Sequence, residues 1–424
     1  MKQLHWLCFF LTILSLVGCF KKSQQKKTVL AIPVYGQSLA LGEEAIRITD
    51  FDSLNKQTHH HVLTENLDDK FGYLSDTHFK QWMKKLLHDR RRAFELSIYG
   101  MSEVVVNYLD KKGYQDSVLI CTFPGGRGAT SIVDLDKGSE AYIKFLDEIK
   151  EAYETAQDKG WNFVVPAFCW MQGEDDIVWK KSTNYKKDLE QFQTDLNKDI
   201  KAITKQRRNV ICIAYQTNCL TLSKDFKAND FKSRETSVPQ AQLELIRDNS
   251  FFMASGPTYP YSFAGGERVH LDGLSQKRLG YLAGLSVVRL LESQPGGKGL
   301  TPEKFRISGN TAEITFNVPS PPLVLDTNAV LKAANYGFSV IDSTNTNILN
   351  KVSLQNNKVM LYCKKSPSGC KIRYAVNGIK EKSGYRYGPR GNVRDSQGIT
   401  QTATILKQVY PLHNWCYQFD ILVN

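Results

Sequence analysis

The chain has 424 residues, of which 42% are hydrophobic and 23% are charged, and its formal net charge is +12. This composition is that of a globular protein and excludes both a disordered chain and a polytopic membrane protein. The length predicts two or three domains. The positive charge does not indicate a nucleic-acid partner, because lysines and arginines are scattered and form no basic stripe interleaved with aromatic residues.

The N-terminus carries an export pattern. Lys2 precedes an apolar run over residues 4–17, which is too short for a permanent membrane span but fits the core of a signal peptide. The run ends in Leu-Val-Gly-Cys19, which resembles a bacterial lipobox and implies cleavage before Cys19 and lipidation of its thiol. We expect a signal peptide over 1–18, a polar tether over 19–27 and an exported, membrane-anchored lipoprotein facing the periplasm or the cell surface. An ordinary cleaved signal with an incidental cysteine is the alternative.

Residues 28–293 alternate between short apolar runs and amphipathic helical patterns. The runs are rich in Val, Ile and Phe and do not alternate with polar residues, as is typical of strands covered on both faces. The predicted strands are 28–34, 117–123, 162–170, 209–215 and 251–254, and the predicted helices include the apolar stripes within 142–156, 189–203 and 274–291. This alternation predicts a three-layer α/β/α domain with a parallel sheet.

Residues 294–302 are rich in Gly and Pro and predict a linker. Beyond it, over 303–424, the apolar residues recur with a period of two between turn residues, which predicts a small all-β accessory domain. Within this domain Cys363 and Cys370 flank a turn-forming run between two apolar segments. That arrangement, in an exported protein, predicts a disulfide across a β-hairpin.

Four motifs follow predicted strands or precede a predicted helix. The first is Gly-Gln37-Ser38 after the first strand, where a serine on a tight turn can project its hydroxyl towards solvent. The second is a glycine-rich loop from Pro124 to Ile132, which contains Arg127 and Gly128 and can aim backbone amides at a ligand. Alone, the first motif is usually a helix cap and the second a flexible turn.

The third motif is Trp-Met-Gln-Gly-Glu-Asp-Asp over residues 170–176, directly after a strand. Its acids could bind a cation, although acids also occur at helix N-termini simply because the helix dipole favours them. The fourth is Gly-Glu-Arg-Val-His-Leu-Asp over 266–272, before the last helix. Imidazole suits proton transfer near neutral pH, and a nearby carboxylate can orient it. A competing run, His59-His60-His61, lies in a polar segment and predicts a solvated loop.

Taken together and in this order, the motifs resemble the four blocks of the SGNH (GDSL-like) hydrolase superfamily. They are most similar to its carbohydrate-esterase branch, which includes sialate O-acetylesterases and acetylxylan esterases. The matching segments are 36–38, 128–132, 170–174 and 267–271, and the resemblance covers roughly residues 27–293. It implies the flavodoxin-like fold of that superfamily and an esterase that needs no metal or other cofactor.

The resemblance also implies roles for individual residues. Ser38 would be the nucleophile, His270 the general base and Glu267 the acid, at a position where the family usually has Asp. Asp272 and a backbone carbonyl remain alternatives for orienting His270. The oxyanion hole would consist of the amides of Ser38 and Gly128 with the side chain of Gln172. Residues implied to contact substrate are Gln37, Arg127, Glu174 and Asp175.

Asp175 departs from the pattern, since the family often has an amide or hydroxyl side chain there, and an ionised carboxylate donates no hydrogen bond. The expected substrate is an acetylated glycan such as O-acetylated sialic acid, for which Arg127 or Arg268 could pair with the sugar carboxylate. A second hypothesis is a glycan-binding surface lipoprotein on a decayed, non-catalytic scaffold. In that hypothesis Tyr374, Tyr385 and Tyr387 of the β-rich region would stack on sugars.

Overall fold

The computed structural model describes residues 26–49, 62–66, 70–73, 94–114, 116–266, 268–294 and 297–424. The predicted signal peptide with Cys19, the run His59–His61 and the predicted acid Glu267 lie outside the described residues. Within the described residues no helix has both the length and the apolar character needed to cross a membrane.

The first ten strands of the described chain build the predicted sheet. They are β1 (Thr28–Ala31), β2 (Val34–Gly36), β3 (Val62–Asn66), β4 (Lys70–Tyr73), β5 (Val118–Cys121), β6 (Pro124–Gly126), β7 (Asn162–Val164), β8 (Ala167–Met171), β9 (Ile211–Gln216) and β10 (Phe252–Pro257). Prolines at 33 and 166 interrupt two of the long strands, since proline has no N–H for the ladder. The ladder continues across the interruptions, for example from Ile32 N to Cys121 O at 2.8 Å and from Cys169 N to Pro33 O at 2.8 Å.

The strand pairs β1/β2, β5/β6 and β7/β8 therefore each act as one long strand. The resulting order across the sheet is β5/β6, β1/β2, β7/β8, β9 and β10, and all of these strands are parallel. Strand β3 pairs parallel to β5, and β4 pairs antiparallel to β3. This is the flavodoxin-like order, in which the chain moves to opposite sides of its first strand and leaves a crevice at that strand's carboxyl end.

Helices cover both faces of the sheet. They are α1 (Ser97–Lys111), α2 (Glu140–Asp158), α3 (Glu174–Trp179), α4 (Tyr185–Thr204), α5 (Ser237–Asp248) and α6 (Gly273–Leu291). Alternate residues of the first strand point to opposite layers: Tyr35 packs with the buried faces of α2 and α4, whereas Val34 packs with those of α1 and α6. The predicted three-layer α/β/α architecture is confirmed, and α1, α3 and α5 add to the helices predicted from sequence.

The C-terminal region is mainly antiparallel β structure, as predicted. It contains β11 (Thr301–Ser308), β12 (Thr311–Asn317), β13 (Val324–Leu325), β14 (Phe338–Ile341), β15 (Leu349–Gln355), β16 (Lys358–Cys363), β17 (Cys370–Tyr374), the short helix α7 (Gly384–Tyr387), β18 (Val393–Arg394), β19 (Thr402–Ile405), β20 (Gln408–Pro411) and β21 (Phe419–Val423). Its two larger sheets have the orders β11-β12-β16-β15 and β14-β17-β21.

The β-rich region shares a core with the α/β part. Leu300 and Phe419 belong to the same buried cluster as Phe252 and Tyr259. Strand β11 already begins at Thr301, inside the predicted linker over 294–302. The domain boundaries stay a prediction, and the shared core indicates that the two parts stabilise each other.

The predicted disulfide between Cys363 and Cys370 is wrong: both residues are free, buried cysteines. The physical reason is that β16 and β17 do not form a hairpin. Strand β16 pairs with β12 and β15, whereas β17 pairs with β14 and β21, so the two cysteines belong to different sheets.

Candidate active site

Three strand ends meet at the crevice beside the first strand. Strand β2 ends at Gly36, β6 at Gly126 and β8 at Met171. A Cβ on Gly126 would lie 1.8 Å from Gly36 O, and one on Gly36 would lie 2.0 Å from Met171 O. Only glycine permits this close approach of the backbones. The first three sequence motifs therefore lie side by side at one edge of the sheet.

Ser38 lies in a compact turn that follows β2 directly. Gln37 N donates to Met171 O at 3.0 Å, and Glu43 N donates to Ser38 O at 3.0 Å, which closes the turn. From α6, Gln276 Nε2 donates to Leu39 O at 2.8 Å. Ser38 is buried, with 4% of its surface exposed. The turn is thus fixed to the sheet on one side and to α6 on the other.

The Ser38 hydroxyl and the His270 imidazole are in hydrogen-bonding contact. Ser38 Oγ lies 2.8 Å from His270 Nε2, although 232 residues separate them in sequence. On the other side of the ring, His270 Nδ1 lies 3.1 Å from Glu44 Oε2. The His270 side chain is 17% exposed and the Glu44 side chain 50% exposed. The imidazole of His270 therefore lies between the Ser38 hydroxyl and the Glu44 carboxylate at the crevice.

Glu44 was missed by the sequence analysis. Glu267, the carboxylate that the resemblance implies, lies outside the described residues. The alternative Asp272 caps α6 instead, since its Oδ1 accepts a hydrogen bond from Ser275 N at 2.8 Å. One sequence feature could have indicated Glu44, namely its position six residues after Ser38 in the same turn. No local sequence pattern connects Glu44 with a histidine so far along the chain.

Gly128 lies beside Ser38. A Cβ on Gly128 would lie 3.7 Å from Ser38 Cβ and 3.2 Å from Glu43 Oε2. Thr130 Oγ1 donates to Gly128 O at 2.8 Å and fixes the glycine-rich loop. Within the described part of the chain, neither the Ser38 nor the Gly128 amide has a hydrogen-bond acceptor. Two unengaged amides beside a serine hydroxyl are what an oxyanion site requires.

Gln172 is engaged elsewhere. Its Nε2 donates to Thr130 O at 3.2 Å and to Asp176 Oδ2 at 2.7 Å, so both amide hydrogens are used. Its Oε1 accepts from the hydroxyl of Tyr185 at 2.8 Å. Gln172 therefore has no hydrogen left for an oxyanion and instead joins the glycine-rich loop to α3 and α4.

The acidic residues after β8 accept hydrogen bonds from several segments that surround the site. Asp176 accepts hydrogen bonds from Ser131 Oγ, from Ile132 N at 2.8 Å and from Ser182 N at 3.1 Å. Glu174 accepts a hydrogen bond from the Tyr215 hydroxyl at 2.6 Å. Burial raises the pKa of Glu174, which hydrogen bonds and the nearby His270 partly offset. Among the described residues no group of three or more His, Cys, Asp or Glu side chains could hold a metal ion.

The remaining predicted contact residues differ in exposure. Gln37 is buried, and its Oε1 accepts hydrogen bonds from Gly173 N and Asp175 N, both at 3.4 Å. Asp175 is also buried, its Oδ2 has no hydrogen-bond partner, and burial followed by repulsion from Asp176 raises its pKa. Arg127 is exposed on the glycine-rich loop next to Gly128.

The C-terminal region contacts the loop that carries His270. Ser383 Oγ donates to Arg268 O, and Lys382 Nζ donates to Gly266 O at 2.7 Å. The Arg268 guanidinium lies 3.7 Å from the Glu381 carboxylate, so this cation is paired with the β-rich region. Tyr374 is fully buried and cannot stack on a sugar as the second hypothesis requires, whereas Tyr387 is 42% exposed.

Residues 106–284 match a family model described as SASA, carbohydrate esterase, sialic acid-specific acetylesterase. Over this segment the chain is similar to that carbohydrate-esterase family. The match confirms the resemblance to the carbohydrate-esterase branch of the SGNH superfamily. It begins within α1, ends within α6 and contains the third motif and His270. No curated protein sequence matches the chain.

Solved structures were also compared with the chain, and one of them has a similar fold over most of its length. A carbohydrate acetylesterase from Xanthomonas citri has a TM-score of 0.57 at 10% identity, over 93% of this chain and 80% of that chain. An Arabidopsis thaliana protein has a TM-score of 0.43 at 14% identity, over 62% of this chain and 98% of its own. The structure of NanS has a TM-score of 0.41 at 11% identity, over 63% of this chain and 98% of its own. At 10% identity, the similarity to the Xanthomonas citri structure shows a shared fold and nothing more.

Proposed function

We propose that the chain is a serine esterase that removes O-acetyl groups from carbohydrate, with Ser38 as nucleophile and His270 as general base. The observation that carries the proposal is the 2.8 Å contact between Ser38 Oγ and His270 Nε2 at the carboxyl end of the first strand. This contact is the arrangement by which a base activates a serine hydroxyl. The match of residues 106–284 to a carbohydrate-esterase family supports the same reaction.

In the proposed reaction His270 Nε2 takes the proton of Ser38 as its Oγ attacks the acetyl carbonyl. The tetrahedral intermediate places its oxyanion on the amides of Ser38 and Gly128. His270 then gives the proton to the departing sugar oxygen, and the acetyl group remains on Ser38. Water, deprotonated by His270, then attacks the acetyl carbon. The bond from that carbon to Ser38 Oγ breaks, Oγ takes the proton back from His270, and acetate leaves. Each step uses side chains and amides of the chain itself.

The replacement Ser38→Ala tests the proposal. We expect kcat/KM for a chromogenic acetyl ester to fall at least about 1000-fold, because no other hydroxyl takes the place of the nucleophile. Ser366→Ala is the matched control, since Ser366 is exposed in the β-rich region, and it should leave the rate unchanged. Undiminished activity in the Ser38→Ala protein would refute the proposal.

The proposed substrate is an acetylated glycan, and an acidic sugar such as O-acetylated sialic acid is favoured over a neutral one. Arg127 is exposed beside Gly128, and among the described residues its guanidinium has no ion-pair partner. It could therefore pair with a sugar carboxylate, whereas Arg268 is already paired with Glu381. Acetate release from acetylated sialic acids and from acetylated xylan, measured side by side, decides between the two classes.

The alternative, a non-catalytic glycan-binding protein, has less support. A decayed site has no need for an intact hydroxyl–imidazole contact, and one of its three proposed stacking residues, Tyr374, is buried.

Membrane attachment through lipid on Cys19 is a separate proposal based on the lipobox-like run. Incorporation of a labelled fatty acid into the chain, lost in a Cys19→Ser variant, tests it.

A further inference from the structure

We infer that Glu44, on the turn of the nucleophile, is the carboxylate that orients His270. The inference rests on the proposed function and adds a positioning residue to it. Glu44 Oε2 lies 3.1 Å from His270 Nδ1, on the opposite side of the ring from Ser38. A negative carboxylate beside Nδ1 favours the ring hydrogen on that nitrogen. Nε2 is then the acceptor for the Ser38 proton, which is the tautomer that the reaction needs.

The turn holds Glu44 in a fixed place. Ala45 N donates to Gly42 O at 3.0 Å, and Glu95 N donates to Ala45 O at 2.8 Å, so the backbone on the C-terminal side of Glu44 is tied down. Glu44 itself has a φ of +63°, a left-handed conformation that residues other than glycine rarely adopt. Such a conformation persists only where the surrounding contacts impose it, and it is often found at functional sites.

The histidine loop makes room for the Glu44 carboxylate. A Cβ on Gly265 would lie only 2.6 Å from Glu44 Oε2, so a side chain at this position would displace the carboxylate. Ala264 N donates to His270 O at 2.7 Å, which closes the loop around the same point. The nucleophile and the orienting acid thus come from one turn after β2, and the base comes from a separate loop that fits against that turn.

Glu44→Ala, assayed with and without added formate, tests the inference, with Glu267→Ala in parallel and Glu303→Ala as an exposed control. We expect kcat of Glu44→Ala to fall about 10- to 100-fold with KM within about twofold. This is less than the roughly 10⁴-fold loss for a buried triad carboxylate, because solvent screens a half-exposed one. Formate should restore several-fold activity, since a small carboxylate can reach the half-exposed position beside Nδ1.

Wild-type kcat in Glu44→Ala, together with a loss in Glu267→Ala, would overturn the inference and return the acid's role to Glu267. A loss in Glu44→Ala that formate does not reduce, accompanied by a lower Tm, would also overturn it, because the residue would then act only on folding. The proposed function fails separately, on an active Ser38→Ala protein. An inactive Ser38→Ala protein with a fully active Glu44→Ala protein would reject the inference alone.

Discussion

The two halves of the candidate site are held in different ways. The Ser38 turn follows β2 without an intervening loop and is fixed by the parallel sheet itself, through Met171 O and the end of β8. The loop of His270 begins beyond the end of β10 at Pro257 and is held from outside by the β-rich region, through Lys382 and Ser383. Ser38, the proposed nucleophile, is therefore positioned by the α/β part of the chain alone, whereas His270, the proposed base, also depends on the C-terminal region.

This difference gives the C-terminal region a role beyond that of an appended module. Thr221 Oγ1, after β9, donates to Lys382 O at 2.6 Å, and Tyr385 N donates to Tyr261 O at 3.2 Å. The segment from 381 to 385 thus joins two loops of the α/β part at the edge where the site lies. We expect substitutions on the Ser38 side to act through the core of the α/β part, and those on the His270 side to act through this segment.

Among the variants that test this difference, Asp176→Asn on the Ser38 side is expected to have the largest effect. Oδ1 of Asp176 accepts from Ser131 and Ser182, and Oδ2 accepts from Ile132 and Gln172. An asparagine amide, in either orientation, places an NH₂ against one of these pairs of donors. Leaving buried donors unpaired costs about 2–3 kcal/mol, and the glycine-rich loop with Gly128 should shift.

The measurements are the free energy of unfolding in denaturant and kcat for an acetyl ester, for which we expect a loss of about tenfold or more. Asp134→Asn is the control, because its ion pair with Lys181 is exposed and contributes little. Equal stability and activity in the two variants would show that Asp176 does not hold the glycine-rich loop.

A smaller effect is expected from Ser383→Ala, on the base's side. The Ser383 hydroxyl is buried and donates to Arg268 O, two residues before His270. Loss of this hydrogen bond should cost about 1 kcal/mol and loosen the histidine loop. We expect kcat/KM to fall about threefold to tenfold, while Ser38 keeps its place.

Glu381→Gln is the matched control, since it breaks only the exposed ion pair with Arg268 and should change kcat/KM less than twofold. If Ser383→Ala and Glu381→Gln had the same rates as the unaltered chain, the β-rich region would not position the base.

The two sides of the site also differ in how far the sequence could predict them, because one depends on local patterns and the other on contacts between distant residues. Short apolar runs, a glycine-rich loop and a serine directly after a strand are local patterns, so the parallel sheet and the position of Ser38 followed from them. The contact of Glu44 with His270 and the support from Ser383 join residues more than a hundred positions apart. Contacts between residues so far apart in the chain leave no periodic pattern in the sequence. The disulfide prediction failed for the same reason, because local spacing indicated a hairpin where two different sheets meet.

The smallest effect is expected from Asp175→Asn, beside the nucleophile. Asp175 Oδ2 is buried without a partner, and burial raises the pKa of this carboxyl. A carboxyl with a raised pKa in the folded state destabilises the fold once it is ionised. The penalty is absent below the ordinary pKa of aspartic acid, grows as the pH rises from there to the raised value, and is complete above it.

Asparagine has no charge to bury, so the variant should be more stable than the unaltered chain at pH 7 by about 1 kcal/mol, and the gain should vanish near pH 3. Thermal unfolding of both proteins across this range measures it. A gain in stability that is the same at all pH values would mean that ionisation of Asp175 does not destabilise the folded protein.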